Sequence, residues 1–455
     1  PTARPSKSPS SSSTSKPSKS PSSVPTSSPT HVPSGVPSVS AAPSQLEPSQ
    51  SPSETSAPSS SSQPTLTESP SRSSEPSASG VPSQSQSPSR SSEPSSSGAP
   101  SQSQFPSESS EPSQSPSQSQ ILEPDDAGEF YRFGYSIAVT NTTAVIGAPN
   151  AESLPGTFHG AAYVFDLKDG EWVETTPKLS PSTNPDSNKE LADTCGTSVA
   201  VAGDYALVGC PKDDSVAANA GAVYIFKRNS VTGEFESFQP LQPPSSIGLS
   251  ALFGWSIAFN ENGVIAVGAR QDRLGRGSVF LYNRDDSDGL WGLVDTLTED
   301  VTQTTFGNFG WDVALDESNT LLVGAPFEEN GGALFIYKQR TPISWEPFGE
   351  RIAPGDVMDG DQFGFSVALD KSIAVVGAKN ALAEQKPNAG AAYIYTIPPG
   401  RIGNAEFNQK LNAISPSEDA LFGYSVALKD GRLVVGEPNP EGIGAVYFYS
   451  YNGIE

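Results

Sequence analysis

The chain has 455 residues, with 51 acidic against 27 basic side chains and a net charge of −24. That balance argues against nucleic acid and anionic membranes as partners, and no apolar run approaches the roughly 20 residues of a membrane-spanning helix. With only two cysteines and two histidines, neither a zinc-ligand pattern nor a supported Ser-His-Asp arrangement can be assembled.

Residues 1–118 are dominated by Ser and Pro and are nearly devoid of large apolar side chains. Such a segment cannot bury enough surface to offset its chain entropy and is expected to be disordered or extended. An 18-residue repeat runs through it: Arg72-Ser73-Ser74-Glu75-Pro76 returns at Arg90 and, altered, at Glu108. Ser-rich sequence with regular Pro suggests an O-glycosylated stalk, with a plain flexible linker as the competing reading. Up to Gln120 the segment carries a net charge of −1, which leaves −23 for the rest.

From residue 119 onward one three-part phrase occurs six times. The first part starts at Phe133, Cys195, Phe253, Phe309, Phe363 and Phe422, as in FGYSIAV and FGWSIAF. The second reads VIGAP, LVGCP, AVGAR, LVGAP, VVGAK and VVGEP, and the third GAAYVF, GAVYIF, GSVFLY, GALFIY, GAAYIY and GAVYFY. Each is a short β-branched or aromatic run bounded by turn residues, which predicts a strand. A fourth run follows, at Trp172–Leu179, Trp291–Leu297, Trp345–Ile352 and Phe407–Leu411. Four strands per repeat at this period predict an all-β propeller with four-stranded antiparallel blades. In the first strand Gly134, Ser136 and Ala138 share one face, small enough for a neighbouring blade to approach closely.

These phrases resemble the FG-GAP repeats of the integrin alpha propeller and of related proteins secreted by bacteria and algae, over about Gln120 to Tyr449. The resemblance implies the propeller fold and an extracellular adhesion role. It also implies calcium cages between first and second strands. Here those connections, among them Asn141-Thr142-Thr143, Gly203-Asp204 and Lys429-Asp430-Gly431, are tight turns poor in carboxylates. The integrin-type metal sites therefore do not carry over, and no cofactor is expected beyond a weak surface calcium.

Six blades are expected. Leu122 precedes Phe133 by the same 11 residues that separate Leu411 from Phe422, so the segment before Phe133 could serve as the fourth strand of the last blade and close the ring. A seventh blade lying outside this sequence is the rival reading. Cys195 opens a first strand and Cys210 ends the second strand of the same blade. Their midpoint lies between Ala202 and Gly203, where a tight turn is expected, so the two should oppose each other and form a disulfide. A disulfide suits an oxidising compartment, as does the glycosylation sequon at Asn141.

Binding is expected on the face carrying the second-to-third and fourth-to-first connections, because long loops on a rigid scaffold carry function. Most of these loops are acidic, with Asp356, Asp359 and Asp361 as a candidate calcium group. One connection is basic, with Arg270, Arg273 and Arg276 as candidates for a carboxylate or a sulfated glycan. The chain is read as a non-enzymatic, monomeric recognition module, secreted or at the cell surface, that binds an extracellular protein or glycan. A structural wall or matrix protein, or an accessory domain of a larger secreted enzyme, is the alternative.

Overall fold

The structure is a computed structural model that describes residues 120–450 apart from 127, 129, 154–156, 182–192, 300–305 and 441. The Ser/Pro-rich segment lies outside the described residues. Six antiparallel sheets follow one another in chain order. Blade 1 comprises β1 (Ser136–Val139), β2 (Thr143–Ala148), β3 (Ala161–Lys168) and β4 (Glu171–Leu179), and blade 2 comprises β5 (Ser198–Ala202), β6 (Tyr205–Cys210), β7 (Ala222–Arg228) and β8 (Phe235–Leu241). Blade 3 comprises β9 (Phe253–Phe259), β10 (Val264–Ala269), β11 (Ser278–Arg284) and β12 (Trp291–Thr298). Blade 4 comprises β13 (Val313–Leu315), β14 (Thr320–Ala325), β15 (Ala333–Thr341) and β16 (Ser344–Pro347), and blade 5 comprises β17 (Phe363–Asp370), β18 (Ile373–Ala378), β19 (Ala391–Thr396) and β20 (Glu406–Leu411). Blade 6 has three strands, β21 (Ser425–Lys429), β22 (Arg432–Glu437) and β23 (Ala445–Ser450). The chain is thus a six-bladed propeller.

The repeated phrases do the same work in each blade. The Phe of the first phrase packs edge-on against the aromatic of its own third strand, as in Phe133–Tyr163, Phe253–Phe280 and Phe363–Tyr393, with ring centroids 5.5, 5.4 and 5.3 Å apart. Edge-to-face packing adds to the burial of these rings. The small residues let adjacent sheets meet. A Cβ on Gly147 would stand 2.1 Å from the carbonyl oxygen of Gly196 in the next blade, so only glycine fits there. Ser136, Ser198, Ser256 and Ser366 each donate a hydroxyl hydrogen bond to a glycine carbonyl of the following blade. Parallel bridges from Gly160 to Cys195, Gly221 to Phe253, Gly277 to Phe309, Gly332 to Phe363 and Gly390 to Phe422 complete these interfaces.

Cys195 and Cys210 form the expected disulfide, with Cα atoms 3.9 Å apart. The turn centre differs from the one read off the sequence. Ladder pairs Ser198↔Gly209 and Ala202↔Tyr205 place it between Gly203 and Asp204. Cys195 still reaches Cys210 because Gly196 and Thr197 bulge out of the pairing, the same irregularity that brings Phe253 to Ala269 in blade 3. The fourth strand of blade 4 is also shorter than the expected Trp345–Ile352 run. Pro347 has no N–H to donate and Gly349 has a φ of +79°, which ends the strand. Ile352 rejoins Leu334 only through an isolated bridge.

The segment from Gln120 lies along blade 1 and, among the described residues, does not pair with β23. The Gln120 side chain brackets the backbone of Trp172: Nε2 donates to its carbonyl and Oε1 accepts its N–H, both at 2.7 Å. Leu122, Tyr131 and Phe133 pack on the core of blade 1.

Candidate functional site at the axial mouth

The third letter of the first phrase varies: Tyr135, Thr197, Trp255, Trp311, Phe365 and Tyr424. In a propeller the first strands line the central axis, and at one mouth of it four of these side chains, Trp255, Trp311, Phe365 and Tyr424, form a run of ring contacts. Ring centroids of Trp255 and Trp311 are 5.5 Å apart, those of Trp311 and Phe365 5.2 Å, and those of Phe365 and Tyr424 5.1 Å. Phe327 adds an edge contact to Trp311 at 5.3 Å. The result is an aromatic collar, on the face that carries the second-to-third and fourth-to-first connections.

Two cations enter this collar from the end of the second phrase. Four repeats have proline at that place (Pro149, Pro211, Pro326 and Pro438), but repeat three has Arg270 and repeat five has Lys379. The Arg270 guanidinium lies 3.8 Å from the ring centroid of Trp255 and 4.7 Å from that of Trp311. Its Nη1 donates to Asn308 at 3.2 Å, while its Nε is buried and has no hydrogen-bond partner among the described residues. Burial lowers the Arg270 pKa to about 10, which still leaves the group charged at neutral pH. Lys379 stands 4.7 Å from the ring centroid of Phe365, and burial also pushes its pKa below the ordinary value. A ring face attracts a cation more strongly when the pair is desolvated. A guanidinium held against two indoles still has N–H groups to offer an anion.

The other residues singled out from the sequence have local partners. Arg273 donates to the carbonyl of Glu299 at 3.4 Å and sits with Leu274 in the left-handed region. Arg276 is placed by backbone contacts, its carbonyl accepting the N–H of Phe309. The three arginines share one connection, but only Arg270 stacks on the collar rings. Asp356 accepts hydrogen bonds from Tyr393 at 3.3 Å and Lys410 at 2.8 Å. Asp126 does the same work in blade 1, seven residues before its Phe as Asp356 is before Phe363, and accepts from Tyr163 and Lys178. These carboxylates strap a loop to the third and fourth strands. Asp359 accepts the N–H of Asn330 and Asp361 that of Met358, and no group of metal-ligating side chains converges among the described residues. Asn141 is exposed in the β1–β2 turn. No described helix is long and apolar enough to cross a membrane.

Sequence reasoning missed the collar and Lys379. The signal was there, in the one variable letter of the first phrase and in the two departures from proline.

An FG-GAP repeat family matches residues 116–165, 186–226 and 349–395. Among solved structures, the chain is similar to the computationally designed protein Ika8 at 14% identity, with 70% of this chain and 72% of that one covered and a TM-score of 0.36. A protein from Lactobacillus plantarum matches at 13% identity, with 70% and 80% covered and a TM-score of 0.44. Sqt1 of Saccharomyces cerevisiae matches at 10% identity, with 71% and 84% covered and a TM-score of 0.38. No curated protein matches the sequence. With three repeats matched directly and six sheets that place the same phrases alike, the chain is a β-propeller whose repeats are similar to those of the FG-GAP family.

Proposed function

We propose that this propeller is a non-catalytic recognition head, secreted or displayed at the cell surface, that captures an acidic group of an extracellular protein or glycan at its axial mouth. The observation that carries this reading is Arg270, a desolvated guanidinium stacked on Trp255 and Trp311 with its Nε unpaired. A buried donor without a partner is costly, and a carboxylate or sulfate at the mouth would satisfy it through a charge-assisted bond. Aromatic faces beside a cation are also a common surface for a sugar ring or a peptide backbone. The Cys195–Cys210 disulfide fits an oxidising compartment, as does the exposed Asn141. The head is expected to work as a monomer.

The test is binding of the full chain to arrayed sulfated and carboxylated glycans and matrix proteins, across a salt series and with a chelator. The reading expects binding that weakens with salt and drops at least tenfold in Arg270→Met and Lys379→Met. Binding untouched by both changes would remove the axial mouth from consideration. Silence from a folded sample would favour a structural role in a wall or matrix.

A further inference from the structure

The face opposite the axial mouth carries the first-to-second and third-to-fourth turns. Between blades 4 and 5 it has a cleft of about 1050 Å³, the size of an ordinary ligand cleft. Its walls are the β13–β14 turn at residues 316–318, the β17–β18 turn at 370–372 and residues 398–401 between β19 and β20. Lys338 of β15 and Lys429 of blade 6 also line it. Lys338 is the partly buried cation of this cleft. Its Nζ donates to the carbonyls of Pro398 at 3.1 Å and Gly400 at 2.8 Å, and lies 3.9 Å from the ring centroid of Phe348. An ammonium has three N–H donors, so one is left to give. Burial pushes the Lys338 pKa below its ordinary value, and an anion brought into the cleft would offset that desolvation through a charge-assisted bond.

Lys371, Arg401 and Lys429 surround it, which makes four cations in one cleft of a strongly acidic chain. The three carboxylates among them are spent on the chain's own backbone. Asp316 accepts the N–H of Ser318 at 2.9 Å and of Thr320 at 2.8 Å, Asp370 that of Asp430 at 2.8 Å, and Glu317 that of Glu261 at 3.2 Å. Lys371 pairs with Asp430 at 3.1 Å and Lys429 approaches Asp370 at 3.6 Å, but the two lysine side chains are 76% and 79% exposed. Such exposed pairs hold their partners weakly. Arg401 is exposed and has no ion pair among the described residues.

The apolar part of the lining is aliphatic: Leu315, Leu369, Pro398 and Pro399. Beside Arg401, Ile402 stands 94% exposed. Among the described residues no aromatic ring lines the cleft for a sugar to stack on, and Phe348 is buried beneath Lys338. Cations interleaved with aliphatic surface complement a peptide rather than a sugar chain. We propose that this cleft is a second binding site of the propeller, for a segment of a partner protein in which carboxylates alternate with aliphatic side chains. Its carboxylates bond to Lys338, Arg401 and Lys371, and its aliphatic side chains cover Leu369, Pro398 and Ile402. The site lies on the other face from Arg270 and works without it.

The test is fluorescence anisotropy of a labelled peptide of alternating aspartate and leucine, titrated with the full chain across a salt series. The proposal expects saturable binding that weakens with salt and is unchanged in Arg270→Met. It expects a loss of at least tenfold in Lys338→Met and in the double variant Lys371→Gln with Arg401→Gln. The double variant alters only exposed side chains, so it keeps the test decisive if Lys338→Met does not fold. A folded chain that does not bind the peptide overturns the proposal, as does binding lost in Arg270→Met and kept in the cleft variants. Equal binding of a peptide with serine in place of leucine also overturns it. So does tighter binding of a sulfated oligosaccharide that depends on the same lysines, which would make the occupant a glycan.

Discussion

Asp312 accepts the amide N–H of Val367, in the following blade, at 2.8 Å. Four other first phrases have at this place a serine that donates to a glycine carbonyl of the next blade. A charged Asp312 can only accept, and desolvation between the sheets pushes its pKa up to about 7. A raised pKa means that the native state keeps a proton the unfolded chain releases above about pH 4. Stability therefore falls as pH rises from about 4 to about 7 and levels off above. Burial raises Glu299 to about 8 and Asp193 to about 6, which adds to the same slope. Asp312→Asn keeps an acceptor and adds a donor. It is expected to raise stability at pH 8 by on the order of 1–3 kcal/mol, at about 1.4 kcal/mol per pKa unit, and to flatten the profile without abolishing it. Denaturant midpoints between pH 4 and 8 check this, and an unchanged slope would count against Asp312 as its source.

The glycines of the second phrase offer a contrast within one molecule. A Cβ on Gly377 would stand 2.0 Å from the backbone oxygen of Gly423 in blade 6, whereas one on Gly436 would press only on the Ser425 side chain. Backbone cannot yield as a hydroxyl can. Gly377→Ala is expected to cost about 3 kcal/mol or more and Gly436→Ala under about 1 kcal/mol. Thermal melts of the two variants compare them directly, and equal losses would contradict an open face at blade 6.

The disulfide joins residues 15 apart. Closing a loop of that length is worth about 3 kcal/mol at most in the chain-entropy view. Reduction, or Cys210→Ala, should therefore lower the melting temperature while leaving the far-ultraviolet spectrum that of a folded propeller. Complete unfolding on reduction would mean that the packed blades do not carry the fold.

Asp126 and Asp356 each tie a loop to a tyrosine of the third strand and a lysine of the fourth. Both carboxylates are about half exposed, so each strap is expected to be worth about 1 kcal/mol after solvent screening. Asp356→Asn should speed amide exchange in its own loop without a measurable change in the exchange of blade 2. Spread of the effect into blade 2 would refute a local role.

Most of the architecture was legible because it is written six times. Phe-Gly, Gly-Ala and the aromatic third phrase recur at fixed offsets, and each repeat confirms the reading of the others. The disulfide was legible for the same reason, although a bulge at Gly196 and Thr197 moved the turn by one position. Local backbone geometry of that kind has no signature in residue type. The candidate site was less legible, since Arg270 was found through its charge and its collar was not. Trp255, Trp311, Phe365 and Tyr424 lie more than 50 residues apart in sequence and become neighbours only when successive first strands pack around one axis.

The sequence by itself determined the strands and their order within each blade, because hydrophobic period and turn chemistry are local properties, and it left six and seven blades as rival readings. Tertiary structure decided what the ends of the repeat array do. Whether Gln120 pairs with β23 or lies against Trp172 depends on the packing of blade 1 against its neighbours. That packing also left Phe448 and Ile137 without the partner that every other blade finds.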